Sequence, residues 1–223
     1  MKKKAVLYTP NFEKLATLAQ SLVHENWEII SAGATADFLK AQNIAVTINR
    51  ALEEPLNSND SYIKLMKMIT ENGRSIQTTA SRSEAVVSLA CLNVPPTFRK
   101  LNDFLEIDKS DNCIDLNIIN LIRASAKNYN NVLILTDPAD YDEAIIQIKT
   151  DSITTKFRLY LSGKALNLTA AYDATCACSI LSQGEDIKYP NYYVIPFKRS
   201  ERLRHGMNEH QRSEERRVGK ECR

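Results

Sequence analysis

Short apolar runs alternate with stretches of helical periodicity over the first two-thirds of the chain. "KAVLYT" reads as a strand, and Phe12 to Asn26 as an amphipathic helix with Leu15, Leu18, Leu22 and Val23 on one face. "WEIISAG" reads as a strand ending in a small-residue turn, "TADFLKAQN" as a short helix and "IAVTI" as a third strand. Residues 50–83 are the least regular part, loop-like around "EEPLNSNDS" with a helix at "YIKLMKMI". "AVVSLACLNVPP" is an apolar strand stopped by two prolines, which resist further pairing. "NLIRASAKN" then reads as a helix and "NVLILTD" as a strand.

In "TDPADYDEAIIQIK", Asp137 suits an N-cap and Pro138 the first helical turn, while Asp140, Asp142 and Glu143 complement the positive helix end. Residues 152–183 read as helix throughout, with Phe157, Leu161, Ala165, Leu168 and Tyr172 along one face. After Gly184 and Pro190, "YYVIPFKRSERLR" reads as a strand and an extended arm. Alternating strands and helices predict an α/β fold: a doubly wound, mostly parallel sheet covered by helices on both faces.

Composition narrows the function classes. The net charge of +2 comes from residues 212–223, which hold five basic and three acidic groups; the body before them is neutral. A neutral body with no basic stripe gives no footprint for nucleic acid. No window approaches the roughly 18 apolar residues of a membrane span, and the start "MKKKAVLYTP" is too short in apolar residues for a signal peptide. Cys91, Cys113, Cys176 and Cys178 show no zinc spacing and read as reduced thiols of a cytoplasmic protein.

At "NLIRASAKNYNNVLILTDPADYDEA" the chain resembles the N-terminal cyclohydrolase domain of the bifunctional AICAR transformylase/IMP cyclohydrolase family. Three more stretches carry the resemblance. "EIISAGATADFL" is similar to that family's serine–small–glycine–small–threonine phosphate turn. "KALNLTAAYDATCACSIL" is similar to its alanine–alanine–tyrosine–aspartate helix, and "LRHGMNEHQ" to the junction that opens its second domain. The resemblance implies a methylglyoxal-synthase-like domain over 1–140, a helical extension over 141–188, and the junction with the start of a transformylase domain over 189–211. Residues 212–223 read as the in-frame translation of a sequencing-library adapter, expected to be foreign to the protein.

The implied reaction closes the ring of formylated AICAR to IMP: the carboxamide nitrogen attacks the formyl carbon and water leaves. It needs a 5′-phosphate anchor, a group to orient the amide, and donors for the developing oxyanion. A small-residue turn feeding a helix offers free N–H groups to a phosphate, and Ser31, Gly33 and Thr35 match the family's turn. On spacing alone that turn is an ordinary strand–helix connection. The resemblance further implies Lys64, Asp115 and Lys127 as catalytic residues, and Asn93, Asn128 and Arg204 as substrate contacts. Without it, Lys64 is a surface lysine, Asp115 and Lys127 an exposed ion pair, and Arg204 a linker residue. The family pattern is broken at the first loop, where Tyr8, Pro10 and Phe12 replace two serines and a lysine, and at Pro95, which stands at the catalytic tyrosine. No cofactor or metal is implied for ring closure; 10-formyltetrahydrofolate belongs to the transformylase domain. The expected partners are a purine ribonucleotide and a second copy of the chain. Three readings follow: a ring-closing enzyme domain, a degenerate domain retained as a dimerising scaffold, or a nucleotide-sensing relative.

Overall fold

A computed structural model describes residues 2–53, 60–70, 87–94, 116–182 and 191–197. Its strands are β1 (Lys4–Tyr8), β2 (Glu28–Ser31), β3 (Thr47–Ile48), β4 (Val87–Leu92) and β5 (Leu133–Leu135). They form one parallel sheet in the order β3-β2-β1-β4-β5. Ala5, Val6, Leu7, Leu89, Ala90 and Leu92 are wholly buried although neighbours along a strand point to opposite faces. That pattern requires cover on both faces, which is why these strands read as continuous apolar runs.

The cover comes from α1 (Leu15–His24), α2 (Gly33–Ala41), α3 (Asp60–Thr70), α4 (Leu116–Lys127), α5 (Tyr141–Lys149) and α6 (Thr155–Ser182). Right-handed crossovers set α1 and α2 on one face and α3 and α4 on the other. Contacts agree: α5 packs on α1, whereas α3 and α6 pack on α4, and α6 also reaches β5. Each buried leucine of α1 (Leu15, Leu18 and Leu22) contributes about 1.5–3 kcal/mol. Asp137 caps the following turn as expected, its side chain accepting from the Ala139 N–H at 3.0 Å.

Three expectations need correction. Val23 is 44% exposed, because it lies one residue, about 100° of helical turn, beyond buried Leu22. The third strand shrinks to Thr47–Ile48, with Ile44 buried before it begins. Residues 191–197 form no strand; Tyr192, Tyr193 and Phe197 are exposed, and the segment touches α6 where the Cys178 thiol meets the Val194 carbonyl at 3.6 Å. No helix among the described residues is long and apolar enough to cross a membrane.

Candidate functional site

In an open parallel sheet the crevice forms at the carboxyl edge where strand order reverses, here between β1 and β4. Tyr8 and Thr9 leave β1 at that edge, and Asn93 leaves β4 beside them, its N–H donating to the Tyr8 carbonyl at 3.2 Å. The Asn93 side-chain oxygen turns back to accept from the Val94 N–H at 2.8 Å.

The turn after β2 arrives at the same edge. Gly33 begins α2 with φ +50, a left-handed conformation that glycine adopts without strain. Ser31 and Thr35 are brought there as well, but their hydroxyls are buried and committed within the fold. Ser31 Oγ donates to the Leu7 carbonyl at 2.6 Å. Thr35 Oγ1 donates to the Thr9 carbonyl at 3.0 Å and accepts from the Thr9 N–H at 3.1 Å. Phe12 stacks on Phe38 of α2 with centroids 4.6 Å apart and planes at 10°. The loop after β1 is therefore clasped to α2 by one reciprocal hydrogen-bonded pair and one aromatic stack. What remains for an anion at this turn is backbone, since Ala32 at the N-cap supplies no side-chain bond. Glu53 also reaches this point, its carboxylate pressed against Gly33.

Of the implied catalytic set, Lys64 is exposed on α3. Near the start of α3, the Tyr62 hydroxyl donates to the Asn117 carbonyl at 3.2 Å, linking it to the start of α4. At the far ends of the same helices, the Asn128 amide donates to the Ile69 carbonyl at 2.6 Å. Lys127 is the last residue of α4, and a tight turn, Val132 N–H to Asn128 carbonyl at 2.9 Å, leads straight into the start of β5. Lys127 and Asn128 therefore lie at the amino edge of the sheet, opposite the crevice. Twelve helical residues rise about 16 Å, so the two ends of α4 cannot meet across it. Lys127 and Asn128 therefore do not share an edge with Ser31, Gly33, Thr35 and Asn93: matching spacing fixed how far apart they stand in sequence, not which end of a helix each occupies. Asp115, Arg204 and Pro95 lie outside the described residues.

Two residues at the crevice were not anticipated. Thr9 had a signal, a hydroxyl residue directly after the first strand. Glu53 had none, because only the folded turn carries it to α2. Beyond the crevice, Lys164 of α6 pairs with Asp137 at 2.8 Å and Asp140 at 2.6 Å, and Arg123 pairs with Asp173. Burial alone would lower the Lys164 pKa, but the hydrogen bonds and charges of both aspartates together hold it above the ordinary lysine value. Cys91 meets the Tyr141 hydroxyl at 3.0 Å, and burial pushes its thiol pKa up to about 12, too high for a nucleophile. No cluster of metal-ligating side chains occurs among the described residues.

Comparison with known proteins places this geometry in context. Residues 125–220 match the family described as AICARFT/IMPCHase bienzyme. The bifunctional purine biosynthesis protein PurH of Clostridium perfringens is 30% identical over 220 residues, covering 95% of this chain and 44% of that protein. PurH of Clostridium beijerinckii is 29% identical over 221 residues, with 95% and 44% covered. The chain thus spans less than half the length of these curated relatives. The crystal structure of ForH shares the fold, with a TM-score of 0.65 and 22% identity over 81% of this chain and 100% of that one.

Proposed function

We propose that this chain, similar to PurH over 95% of its length and to the AICARFT/IMPCHase bienzyme family over residues 125–220, acts in purine biosynthesis and that its sheet is the ring-closing domain, converting formylated AICAR to IMP. The observation that carries this reading is Gly33, left-handed at the first residue of α2 and set at the carboxyl edge beside the strand-order switch. Backbone N–H groups there suit a 5′-phosphate, with the helix dipole favouring its charge. Asn93 would stand beside the base. Lys64 would supply positive charge to the developing oxyanion, and Asp115 would orient the attacking carboxamide nitrogen. The domain boundaries near residues 140 and 188, the homodimer, and a requirement for 10-formyltetrahydrofolate in a transformylase domain rest on the family resemblance.

A second reading, a degenerate domain kept as a dimerising scaffold, is favoured by the position of Lys127 and Asn128 at the opposite edge. The test is ring closure of synthetic formylated AICAR by the 223-residue chain, beside Lys64→Ala and Asp115→Ala. Turnover that both substitutions abolish supports the enzyme. A folded chain without turnover, and without the roughly 2.7 kcal/mol of stabilisation expected at IMP a hundredfold above its Kd, favours the scaffold.

A further inference from the structure

The Glu53 carboxylate lies against Gly33, the first residue of α2. A Cβ added to Gly33 would collide with the Glu53 carboxylate, so the absence of a side chain at the start of α2 leaves room for an anion that the chain itself supplies. Hydrogen bonds deliver it there. The Asn49 N–H donates to the Ser31 carbonyl at 2.9 Å, docking the turn on the end of β2. Asn49 Oδ1 accepts from the Ala51 N–H at 3.0 Å, and the Glu53 N–H closes on the Arg50 carbonyl at 2.9 Å. Ala51 and Leu52 are buried beneath, so this turn is anchored in the core while the Glu53 side chain remains exposed above.

We infer that Glu53 is a built-in competing anion: it occupies the seat of the nucleotide 5′-phosphate and must be displaced before a phosphorylated ligand engages α2. The inference rests on the phosphate seat of the proposed function. A carboxylate and a phosphate cannot share one helix start without repulsion. Two like charges about 5 Å apart at a wet surface oppose one another enough to change affinity roughly tenfold. The consequence is selectivity: this turn holds a phosphorylated nucleotide less tightly than its backbone alone would allow, while an unphosphorylated nucleoside is indifferent to Glu53.

Isothermal titration of the whole chain with IMP and with inosine tests this in the wild type, Glu53→Gln and Glu53→Ser. Glutamine removes the charge and keeps the bulk; serine removes both. Circular dichroism verifies that each variant is folded. The expected result is IMP affinity raised about tenfold in both variants, with inosine unchanged. IMP bound better than inosine, but equally or less well by the variants than by the wild type, would overturn the role of Glu53 and leave the phosphate seat standing; Glu53 would then only stabilise the helix start. IMP bound no better than inosine by all three proteins would overturn the seat and Glu53's role with it.

Discussion

Replacing Lys164 by methionine should cost about 2–3 kcal/mol of stability, an intermediate between two limits. The pair with Asp137, whose side chain is 44% exposed, resembles a surface ion pair and contributes about 0–1 kcal/mol. Asp140 is different, with its side chain only 9% exposed. Removing one partner of a buried pair costs about 3–5 kcal/mol, because the remaining charge is stranded. The Lys164 side chain is itself 29% exposed, so water reaches part of the site and the full buried cost is not incurred. Methionine keeps most of the aliphatic stem, so the packing loss is small. Urea denaturation followed by circular dichroism should show a lower midpoint at unchanged slope. Adding Asp140→Asn should recover part of the loss, with a coupling of roughly 1 kcal/mol or more. The pH dependence follows from the raised Lys164 pKa. A lysine raised in the folded state contributes stability below its unfolded pKa and loses it as pH rises through the folded value. The wild-type advantage should therefore be flat between about pH 6 and 9 and shrink above ~10.5. A loss under about 0.5 kcal/mol at pH 7, or no coupling with Asp140, would refute the reasoning.

Thr35→Val breaks both bonds to Thr9 and leaves a buried N–H unpaired, so it should cost about 1–3 kcal/mol in the same denaturation assay. Gly33→Ala places a side chain at φ +50 and should cost about 1–2 kcal/mol, lowering Tm by several degrees by calorimetry. Iodoacetamide at about pH 8 should label half-buried Cys178 and spare Cys91 until the chain is unfolded, as resolved by peptide mass mapping. Equal labelling rates for the two thiols in the folded chain would contradict the buried position of Cys91.

Most of the sheet was legible because burial on both faces writes itself as uninterrupted apolar runs: "AVLY", "EIIS" and "VSLACL" become β1, β2 and β4 with ends shifted by a residue or two. The long helix was legible for a similar reason, since Leu161, Ala165 and Tyr172 repeat along one buried face. "YYVIP" misled because a β-like composition needs a partner strand, and none pairs with it among the described residues. At the site, the turn chemistry at Gly33 was readable, while the fate of its neighbours' hydroxyls was not. Ser31 and Thr35 look like ligand contacts in sequence, yet β1 claims the first through Leu7 and the loop after it claims the second through Thr9. The edge that Lys127 approaches was not legible either, because a spacing carries no information on which edge of a sheet a helix end approaches.

The packing of α6 on α4 and β5 bears on how the chain comes together during synthesis. Once Leu135 has left the ribosome the five described strands exist, but the outer surfaces of α4 and β5 remain wet until Leu161 and Ala165 arrive to cover them. Beyond β5 no sixth strand pairs with it among the described residues, so a nascent chain or an expression fragment stopped near residue 150 bares an unpaired strand edge beside an apolar face. Such an edge is a template for aggregation. Residues 155–182 thus act as the latch that renders the sheet safe to release, and a shortened version of this protein has to keep them even if all of its chemistry lies upstream.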